Sequence, residues 1–275
     1  MESMTYDLAR PYPVDADQCA KYRRDGHILL RGVVAPEEIE YYRPLITCLV
    51  DKHARTRDVR VAPNETKALL EYVANVWQMS EEIKEFVCAK RFARIAAGLM
   101  GVRGVRLYHD EALVKEPGRH PTPWHKDHYS WPLATHHTIK MWLALGDIRV
   151  EMAAIRYATG THRAGQFPEV PPSYQSDELF SRIIHDHKIP VVSYSMKAGD
   201  ASFHSGEILH STFANTSSKR REALAVTYFA DGTRVMTPNH EHRQVDMVEF
   251  LPGLTPGDLA ASALNPLLYS SDTGD

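Results

Sequence analysis

The second half of the chain is a series of short apolar runs, each ending at Gly, Pro or Asp, and this pattern restricts the fold most. The runs lie at 105–109, 112–115, 138–145, 153–157, 189–195, 201–204 and 223–230. Runs of this length between turn residues predict strands. No helical pattern alternates with them, as a parallel sheet built from βαβ units would require. We therefore predict an antiparallel barrel or jelly roll.

The first hundred residues have a helical pattern instead. Asp15 or Asp17 could cap a first helix that ends at Asp25-Gly26. Apolar residues recur at three- and four-residue spacing over 39–49 and 92–99, and one short apolar run at 27–31 predicts a strand. The predicted fold class is α+β in a single domain, 1–275, because no linker, repeat or low-complexity segment divides it. We expect a helical part over about 1–103, a jelly-roll core over about 104–235 and an irregular tail over 236–275, with 166–176 as a loop rich in Pro and Ser.

Composition excludes several classes of partner. The 275 residues carry 32 Lys and Arg against 35 Asp and Glu, a formal net charge of −3, which gives no overall attraction to nucleic acid or an anionic membrane. The basic cluster at 55–60 is interpreted as a solvated face. Three widely spaced cysteines rule out a disulfide framework. With no targeting segment and no apolar run near the roughly 18 residues of a membrane span, we expect a cytoplasmic protein.

One segment combines histidine and carboxylate at strand spacing. His125 and Asp127 form the only His-x-Asp of the chain, and residues i and i+2 of a strand project to the same face. About 85 residues later, a Gly-Asp turn feeds a strand and His210 begins the next one. Two histidines and one carboxylate leave open positions on a metal, as in the facial triad of non-haem Fe(II) oxygenases. A closed structural zinc site would take four protein ligands.

An arginine that could bind a dicarboxylate lies after His210 in the sequence. Arg221 lies eleven residues after His210, beyond a polar turn, and heads an apolar run at 223–229. Two antiparallel strands joined by this turn would bring Arg221 back beside His210. A guanidinium pairs with a carboxylate in a two-pronged geometry. Arg220 should point the other way along the strand and is the weaker candidate.

Taken together, these motifs resemble those of the phytanoyl-CoA dioxygenase family of Fe(II)- and 2-oxoglutarate-dependent oxygenases, close to a bacterial branch that modifies small molecules. The resemblance covers roughly 104–235 and is weaker in the N-terminal helices. Its motifs are Lys-Glu-Pro-Gly at 115–118, Thr-Pro-Trp-His-Lys-Asp at 122–127, Met-Trp-Leu-Ala-Leu at 141–145, Gly-Thr-His-Arg at 160–163, and the stretches 199–210 and 215–231.

The resemblance implies a double-stranded β-helix, cupin-like in form, with N-terminal helices packed on it. The metal ligands and catalytic residues it implies are His125, Asp127 and His210. It also implies a pocket for 2-oxoglutarate, in which Arg221 binds the distal carboxylate and the other candidate residues are Thr212, Trp142 and Lys115. Asp127 is retained, which argues against the halogenase variants of this fold, where a small residue replaces the carboxylate.

The reaction implied uses Fe(II), 2-oxoglutarate and O2, releases succinate and carbon dioxide, and hydroxylates an unactivated C–H bond of a small molecule, for instance in secondary metabolism. Desaturation, epimerisation or ring formation at the same metal stay open. Two other functions also stay open. One is a non-oxidative cupin-like isomerase or hydrolase, which would not need Arg221. The other is a binding module without catalytic activity, which would not need the triad. The expected partner is a small-molecule substrate, with no nucleic acid or membrane, bound by a monomer or homodimer.

Most other histidines are predicted to have no metal role. His204, six residues before His210, is interpreted as a structural hydrogen-bonding residue. Three more are equally consistent with a substrate mouth or with packing: His109, His120 and His128. Two pairs lie in polar, loop-like segments where no metal is expected: His185 with His187, and His240 with His242. Strand alternation should turn Lys126 away from the metal.

Overall fold

The computed structural model describes residues 6–62, 65–163 and 167–273. The helices of these ranges are α1 (Ala16–Asp25), α2 (Pro36–His53), α3 (Glu81–Val87), α4 (Lys90–Met100), α5 (Tyr174–Asp186) and α6 (Glu241–Phe250). The strands are β1 (His27–Leu30), β2 (Arg55–Ala62), β3 (Glu65–Ala74), β4 (Gly104–Lys115), β5 (Thr122–His125), β6 (Thr138–Ala144), β7 (Ile155–Ala158), β8 (Val191–Ser193), β9 (Ala201–Ser205), β10 (His210–Thr212), β11 (Arg221–Ala230) and β12 (Leu267–Ser270). None of the described helices is long and apolar enough to cross a bilayer.

The strands form two antiparallel sheets. The major sheet has the order β1-β9-β6-β11-β4-β3-β2, with β12 also paired to β4, and the minor sheet has the order β5-β10-β7-β8. One buried cluster joins the two sheets, since it contains Leu113 and Trp142 of the major sheet and Ile155 and Tyr157 of the minor sheet. Sheets that face each other across a shared core form a sandwich. This is the predicted α+β jelly-roll architecture.

The N-terminal helices α1–α4 cover the outer face of the major sheet. Side chains of a strand alternate between its two faces: Leu224 and Val226 of β11 pack in the cluster that contains Phe92 of α4. Ala223 and Ala225 of the same strand face the minor sheet. Because both faces are covered, β11 is apolar along nearly its whole length rather than alternating with polar residues.

The chain enters the major sheet through a well-capped helix. Asp15 accepts a hydrogen bond from the backbone N–H of Gln18, and the Gln18 side chain accepts one from Asp15 in return, which satisfies two free N–H groups at the start of α1. Gly26 ends α1 with φ at +79°, a conformation that glycine adopts without strain. The helix predicted to end at Asp25-Gly26 and the strand that follows it are confirmed.

The N-terminal part is less helical than predicted, because Arg55–Ala62 and Glu65–Ala74 form the two antiparallel strands of the β2–β3 hairpin. The cluster at 55–60, interpreted as a solvated face, lies in β2, the outermost strand of the major sheet. Charged residues are usual on edge strands, where they discourage further pairing. The solvated-face interpretation is wrong for Arg57, however, because its guanidinium donates a hydrogen bond to the buried Glu111 of β4. Register shifts after Arg57 and Arg60 break the two-residue alternation, so the strand pattern is absent from the sequence.

Two segments predicted as irregular contain helices. Part of the stretch 166–176 begins α5, whose N-cap Ser173 accepts a hydrogen bond from the backbone N–H of Ser176. The tail over 236–275 contains α6 and β12 rather than irregular chain alone. In both cases the Pro and Gly that suggested loops lie beside the element, not within it. The division into a single domain over 1–275 stays a prediction.

Candidate metal centre

Two histidines from neighbouring strands of the minor sheet stand side by side. His125 is the last residue of β5 and His210 is the first of β10, and the antiparallel register pairs them directly. Their ring centroids are 4.2 Å apart. The register of β5 and β10 therefore brings together the two predicted histidine ligands, which lie about 85 residues apart in the sequence.

Backbone carbonyls set the tautomer of both rings. His125 Nδ1 lies 2.8 Å from Pro123 O, and His210 Nδ1 lies 3.1 Å from Ile208 O. A carbonyl only accepts, so each Nδ1 carries the proton and each Nε2 keeps its lone pair. Burial lowers the pKa of His125 to about 3 and that of His210 to about 4. Both rings are therefore neutral at physiological pH and suited to bind a metal.

Asp127 completes the cluster, although not on the strand that the spacing predicted. The strand β5 ends at His125, and Asp127 begins a short 3-10 helix over Asp127–Tyr129. This bend still aims the carboxylate at the rings: Oδ1 is 3.7 Å from His125 Nε2, and Oδ2 is 3.7 Å from His210 Nε2. The expectation of an extended His-x-Asp strand is wrong, but the predicted convergence is observed.

The donor set fits a metal ion. One ligand atom from each of the three residues lies within 4.8 Å of the others. Two imidazole nitrogens with free lone pairs and one carboxylate are donors that divalent transition metals prefer. Three protein donors leave coordination positions free, as in sites where a metal does chemistry.

A lysine that the sequence analysis missed lies against the same carboxylate. Lys140 Nζ on β6 is 3.0 Å from Asp127 Oδ2 and 3.7 Å from Glu111 Oε2. Burial alone would raise the pKa of Asp127, but the charge of Lys140, with contributions from the neighbouring histidines, outweighs it and holds that pKa well below its usual range. The carboxylate is therefore ionised and ready to bind a cation. No sequence motif pointed to Lys140, since it lies in an apolar strand.

His204 is buried against this cluster. Its Nδ1 lies 3.3 Å from the hydroxyl of Tyr157, in agreement with the structural role expected for it. Its Nε2 makes no hydrogen bond in the described part of the chain and faces Asp127 Oδ2 at 3.4 Å. His204 therefore packs behind the three donors and helps to orient Asp127.

Arg221 lies deep in the sandwich, but not through the pairing that was predicted. The strands β10 and β11 belong to different sheets, so Arg221 does not pair beside His210; it pairs with Lys115 of β4. Its side chain is 1% exposed, and its guanidinium lies 5.1 Å from the ring centroid of Trp142. Its Nη1 has a long contact of 3.4 Å to Ala153 O, while Nε and Nη2 have no partner among the described residues.

The other candidate residues of the cosubstrate pocket surround this guanidinium. Lys115 Nζ donates to Thr212 Oγ1 at 2.8 Å, which places both beside the strand that starts at His210. Burial, with a smaller contribution from Arg221, lowers the pKa of Lys115 to about 6. A buried arginine and a buried lysine without a carboxylate partner among the described residues make an environment that favours an anion. The structure thus brings together the four predicted residues: Arg221, Thr212, Trp142 and Lys115.

A cavity of about 360 Å³ opens in front of the donors. Its walls come from β2, β3, β4, β6 and the helix α6, and they combine aromatic, apolar and charged side chains. The residues that line it include Arg57, Leu69, Leu70, Tyr72, His109, Glu111, His125, Asp127, Trp131, Lys140, His242, Asp246 and Phe250. Of the histidines considered for a substrate mouth, His109 lines this cavity, whereas His128 does not. The contribution of the β2–β3 hairpin was missed, because its strands were not predicted.

The comparisons with known proteins agree with this geometry. The family model described as Phytanoyl-CoA dioxygenase (PhyH) matches residues 22–223. The chain belongs to the phytanoyl-CoA dioxygenase family. The predicted family and the predicted enzyme class, a dioxygenase, are therefore confirmed.

Among curated relatives, ectoine dioxygenase of Streptomyces anulatus is 23% identical over 239 residues, or 79% of each chain. A dioxygenase of Aspergillus hancockii is 22% identical over 241 residues, covering 79% of this chain and 71% of that protein.

Solved structures of similar proteins confirm the jelly-roll fold. The non-heme alpha ketoglutarate dependent carbocyclase SnoK from nogalamycin biosynthesis has a TM-score of 0.76 and 26% identity, over 92% of this chain and 96% of its own. The epimerase SnoN, solved with Fe3+, alpha ketoglutarate and nogalamycin RO, has a TM-score of 0.73 and 25% identity, over 91% and 96%. The family fold therefore extends through the N-terminal helices, where the sequence resemblance was weak.

Proposed function

We propose that this chain is an Fe(II)- and 2-oxoglutarate-dependent oxygenase that hydroxylates an unactivated C–H bond of a small molecule. The observation that carries the proposal is the convergence of three donors beside a cavity: the Nε2 atoms of His125 and His210 and the carboxylate of Asp127. We assign these three as the iron ligands and catalytic residues. SnoN, at 25% identity, was solved in complex with Fe3+ and alpha ketoglutarate, which supports the same pair of cofactors here.

Iron held there would supply the oxidising chemistry, using O2 and 2-oxoglutarate and releasing succinate and carbon dioxide. The chain itself supplies neutral imidazoles, fixed in orientation by the carbonyls of Pro123 and Ile208, and a carboxylate kept ionised by Lys140. Ligands with their orientation fixed in advance give the metal a defined geometry and leave its other face to the reactants.

We assign the anion-binding environment to 2-oxoglutarate. Arg221 offers two unpartnered N–H groups to the distal carboxylate, in the planar fork that matches a carboxylate. Lys115 and the hydroxyl of Thr212 lie alongside, and Trp142 forms an apolar wall against the guanidinium. A pocket this dry strengthens each of these electrostatic contacts.

The cavity supports a small-molecule substrate. A volume of about 360 Å³ lies within the range of small-ligand sites, roughly 300–1,000 Å³. Its aromatic residues, among them Trp131 and Phe250, suit a ring or a flat apolar surface, while Glu111 and Lys140 suit polar substituents. We further propose that the protein acts in the cytoplasm as a monomer or homodimer, without a nucleic-acid or membrane partner.

The test is iron-dependent release of succinate from 2-oxoglutarate by the purified protein in the presence of a candidate substrate. We expect His210→Ala and Arg221→Ala to abolish it and Arg220→Ala, a matched change at the neighbouring exposed arginine, to preserve it. Mass spectrometry of the substrate distinguishes a gain of oxygen from loss of hydrogen or an unchanged mass. Turnover that persists in both variants, or without O2 and 2-oxoglutarate, would refute the proposal.

A further inference from the structure

A second cluster of two histidines and one carboxylate lies outside the candidate iron site. His128 belongs to the short 3-10 helix after β5, His136 to the loop before β6, and Glu207 to the turn between β9 and β10. One ligand atom from each lies within 4.8 Å of the others. Three segments distant in sequence therefore bring metal-binding side chains to one point, and the proposed oxygenase chemistry uses none of the three.

The hydrogen bonding of His128 points to a cation at this place. His128 Nε2 lies 2.7 Å from Thr135 O, and a carbonyl only accepts, so this nitrogen carries the ring proton. The other nitrogen, Nδ1, then turns its lone pair to Glu207 Oε1 at 3.1 Å. Two acceptors at this distance repel each other unless a positively charged atom lies between them.

The second ring approaches the same oxygen. His136 Nδ1 is 2.9 Å from Glu207 Oε1. Donor atoms in a tetrahedral site with bonds of about 2.0–2.1 Å are separated by roughly 3.3 Å, close to the two distances observed. His128 and Glu207 are buried, whereas 67% of the His136 side chain is exposed. A metal ion could therefore enter from solvent on the side of His136.

Nearby charges leave this oxygen available. Lys126 Nζ faces the other carboxylate oxygen, Glu207 Oε2, at 3.7 Å, and it also pairs with Glu169. Arg243 lies 3.9 Å from Glu169. The positive charge of Lys126 is thus shared between two carboxylates, and Glu207 Oε1 is left to the two imidazoles.

We propose that His128, His136 and Glu207 form a second metal site that takes Zn²⁺ or a similar late divalent transition metal, with water completing the coordination. Two nitrogen donors and one oxygen favour these metals over Mg²⁺ or Ca²⁺, which prefer oxygen alone. His128 directly follows Asp127, and Glu207 lies three residues before His210. A metal here would hold together the two segments that carry the candidate iron ligands.

The test counts tightly bound Zn²⁺ after metal-free protein is loaded with excess Zn²⁺ and passed through gel filtration. We expect two equivalents in the wild type, one in His136→Ala, one in His210→Ala and none in the double variant. His137→Ala, a change at the adjacent exposed histidine, is the matched control and should keep two. Glu207→Gln provides an independent variant that should match His136→Ala.

The alternatives give different counts. If wild type and His136→Ala both bind one equivalent and His210→Ala binds none, a second ring proton rather than a metal lies between His128 and Glu207, and the proposal is wrong. If the wild type binds one equivalent that is lost only in His136→Ala, the second site stands and the candidate iron site fails. With Co²⁺ as probe, the visible absorption of a tetrahedral ion should disappear in His136→Ala and persist in His137→Ala.

Discussion

Replacing Arg221 with methionine should stabilise the ligand-free protein while removing its response to 2-oxoglutarate. The guanidinium is 1% exposed and has one long contact, and its Nε and Nη2 atoms have no partner in the described ranges. A buried cation of this kind is a cost to the fold until an anion binds. Methionine is apolar, unbranched and flexible, so it can occupy the space that the aliphatic stem of Arg221 fills.

The cost can be estimated from the effect of burial on the guanidinium, which lowers the pKa of Arg221 from 12.5 to about 10. At about 1.4 kcal/mol per pH unit, keeping the charge costs about 3 kcal/mol. The whole cost is present at neutral pH, because the group is protonated in both folded and unfolded chains, and it is relieved only as the pH rises through about 10. Loss of the contact with Trp142 offsets about 1 kcal/mol. A net gain of about 2 kcal/mol should raise the melting temperature by roughly 4–8 °C.

Thermal melts with and without 2-oxoglutarate, in the presence of Fe²⁺ under anaerobic conditions, measure both effects. Cosubstrate at 100 times its Kd should stabilise the wild type by about 2.7 kcal/mol, and Arg221→Met should not respond. Arg220→Met is the control: this side chain is 34% exposed and pairs with Asp51 and Glu222, so no gain is expected and the response should remain. A lower melting temperature for Arg221→Met with an intact cosubstrate response would refute the reasoning.

Two further predictions address Lys115 and the fold. Burial and Arg221 lower the pKa of Lys115 to about 6, so it is largely neutral at pH 7.5, and a bound carboxylate should raise that pKa and cause proton uptake. Calorimetry of 2-oxoglutarate binding in two buffers of different ionisation enthalpy should detect this uptake in the wild type and not in Lys115→Met; equal uptake in both would contradict it. Gly199 and Gly253 both have positive φ, +88° and +77°, but a Cβ at Gly199 would collide with Val34 O, whereas nothing lies within 4 Å at Gly253. In urea unfolding we expect Gly253→Ala to cost about 1 kcal/mol and Gly199→Ala at least about 2 kcal/mol more; equal losses would show that the backbone conformation, not the contact, sets the cost.

The sequence predicts those features that depend on local pattern. Apolar runs between turn residues identify the central strands, and the capping residues around Asp15 and Gly26 identify α1. The β2–β3 hairpin was not predicted, because the edge strand β2 carries charged residues and its bulges break the two-residue alternation of apolar and polar side chains. Patterns of this kind record which side chains are buried, so strands that bury little on one face leave a weak signal.

Site geometry depends on register, which no single segment encodes. His125 pairs with His210 because of the register between β5 and β10. The sequence predicted that the two residues lie close together only because the His-x-Asp motif supplies two ligands and a facial triad needs a third. The same reasoning misplaced Arg221, which pairs with Lys115 across the other sheet. Lys140 could not be found, since a buried lysine in an apolar strand becomes meaningful only when its partner Asp127 is known.

The charges of the site divide it into two regions with different chemistry. Beside the cavity, Asp127 pairs with Lys140 and Glu111 pairs with Arg57, so two carboxylates face two cations. Behind the donors, Arg221 is a cation without a carboxylate in the described part of the chain, and Lys115 beside it is largely neutral until an anion binds. Unpaired buried charge persists in a fold only when something compensates it. The first region is close to neutral and suits an uncharged or mixed substrate, while the second lacks an anion, so the electrostatics alone separate the position of a dicarboxylate cosubstrate from that of the substrate.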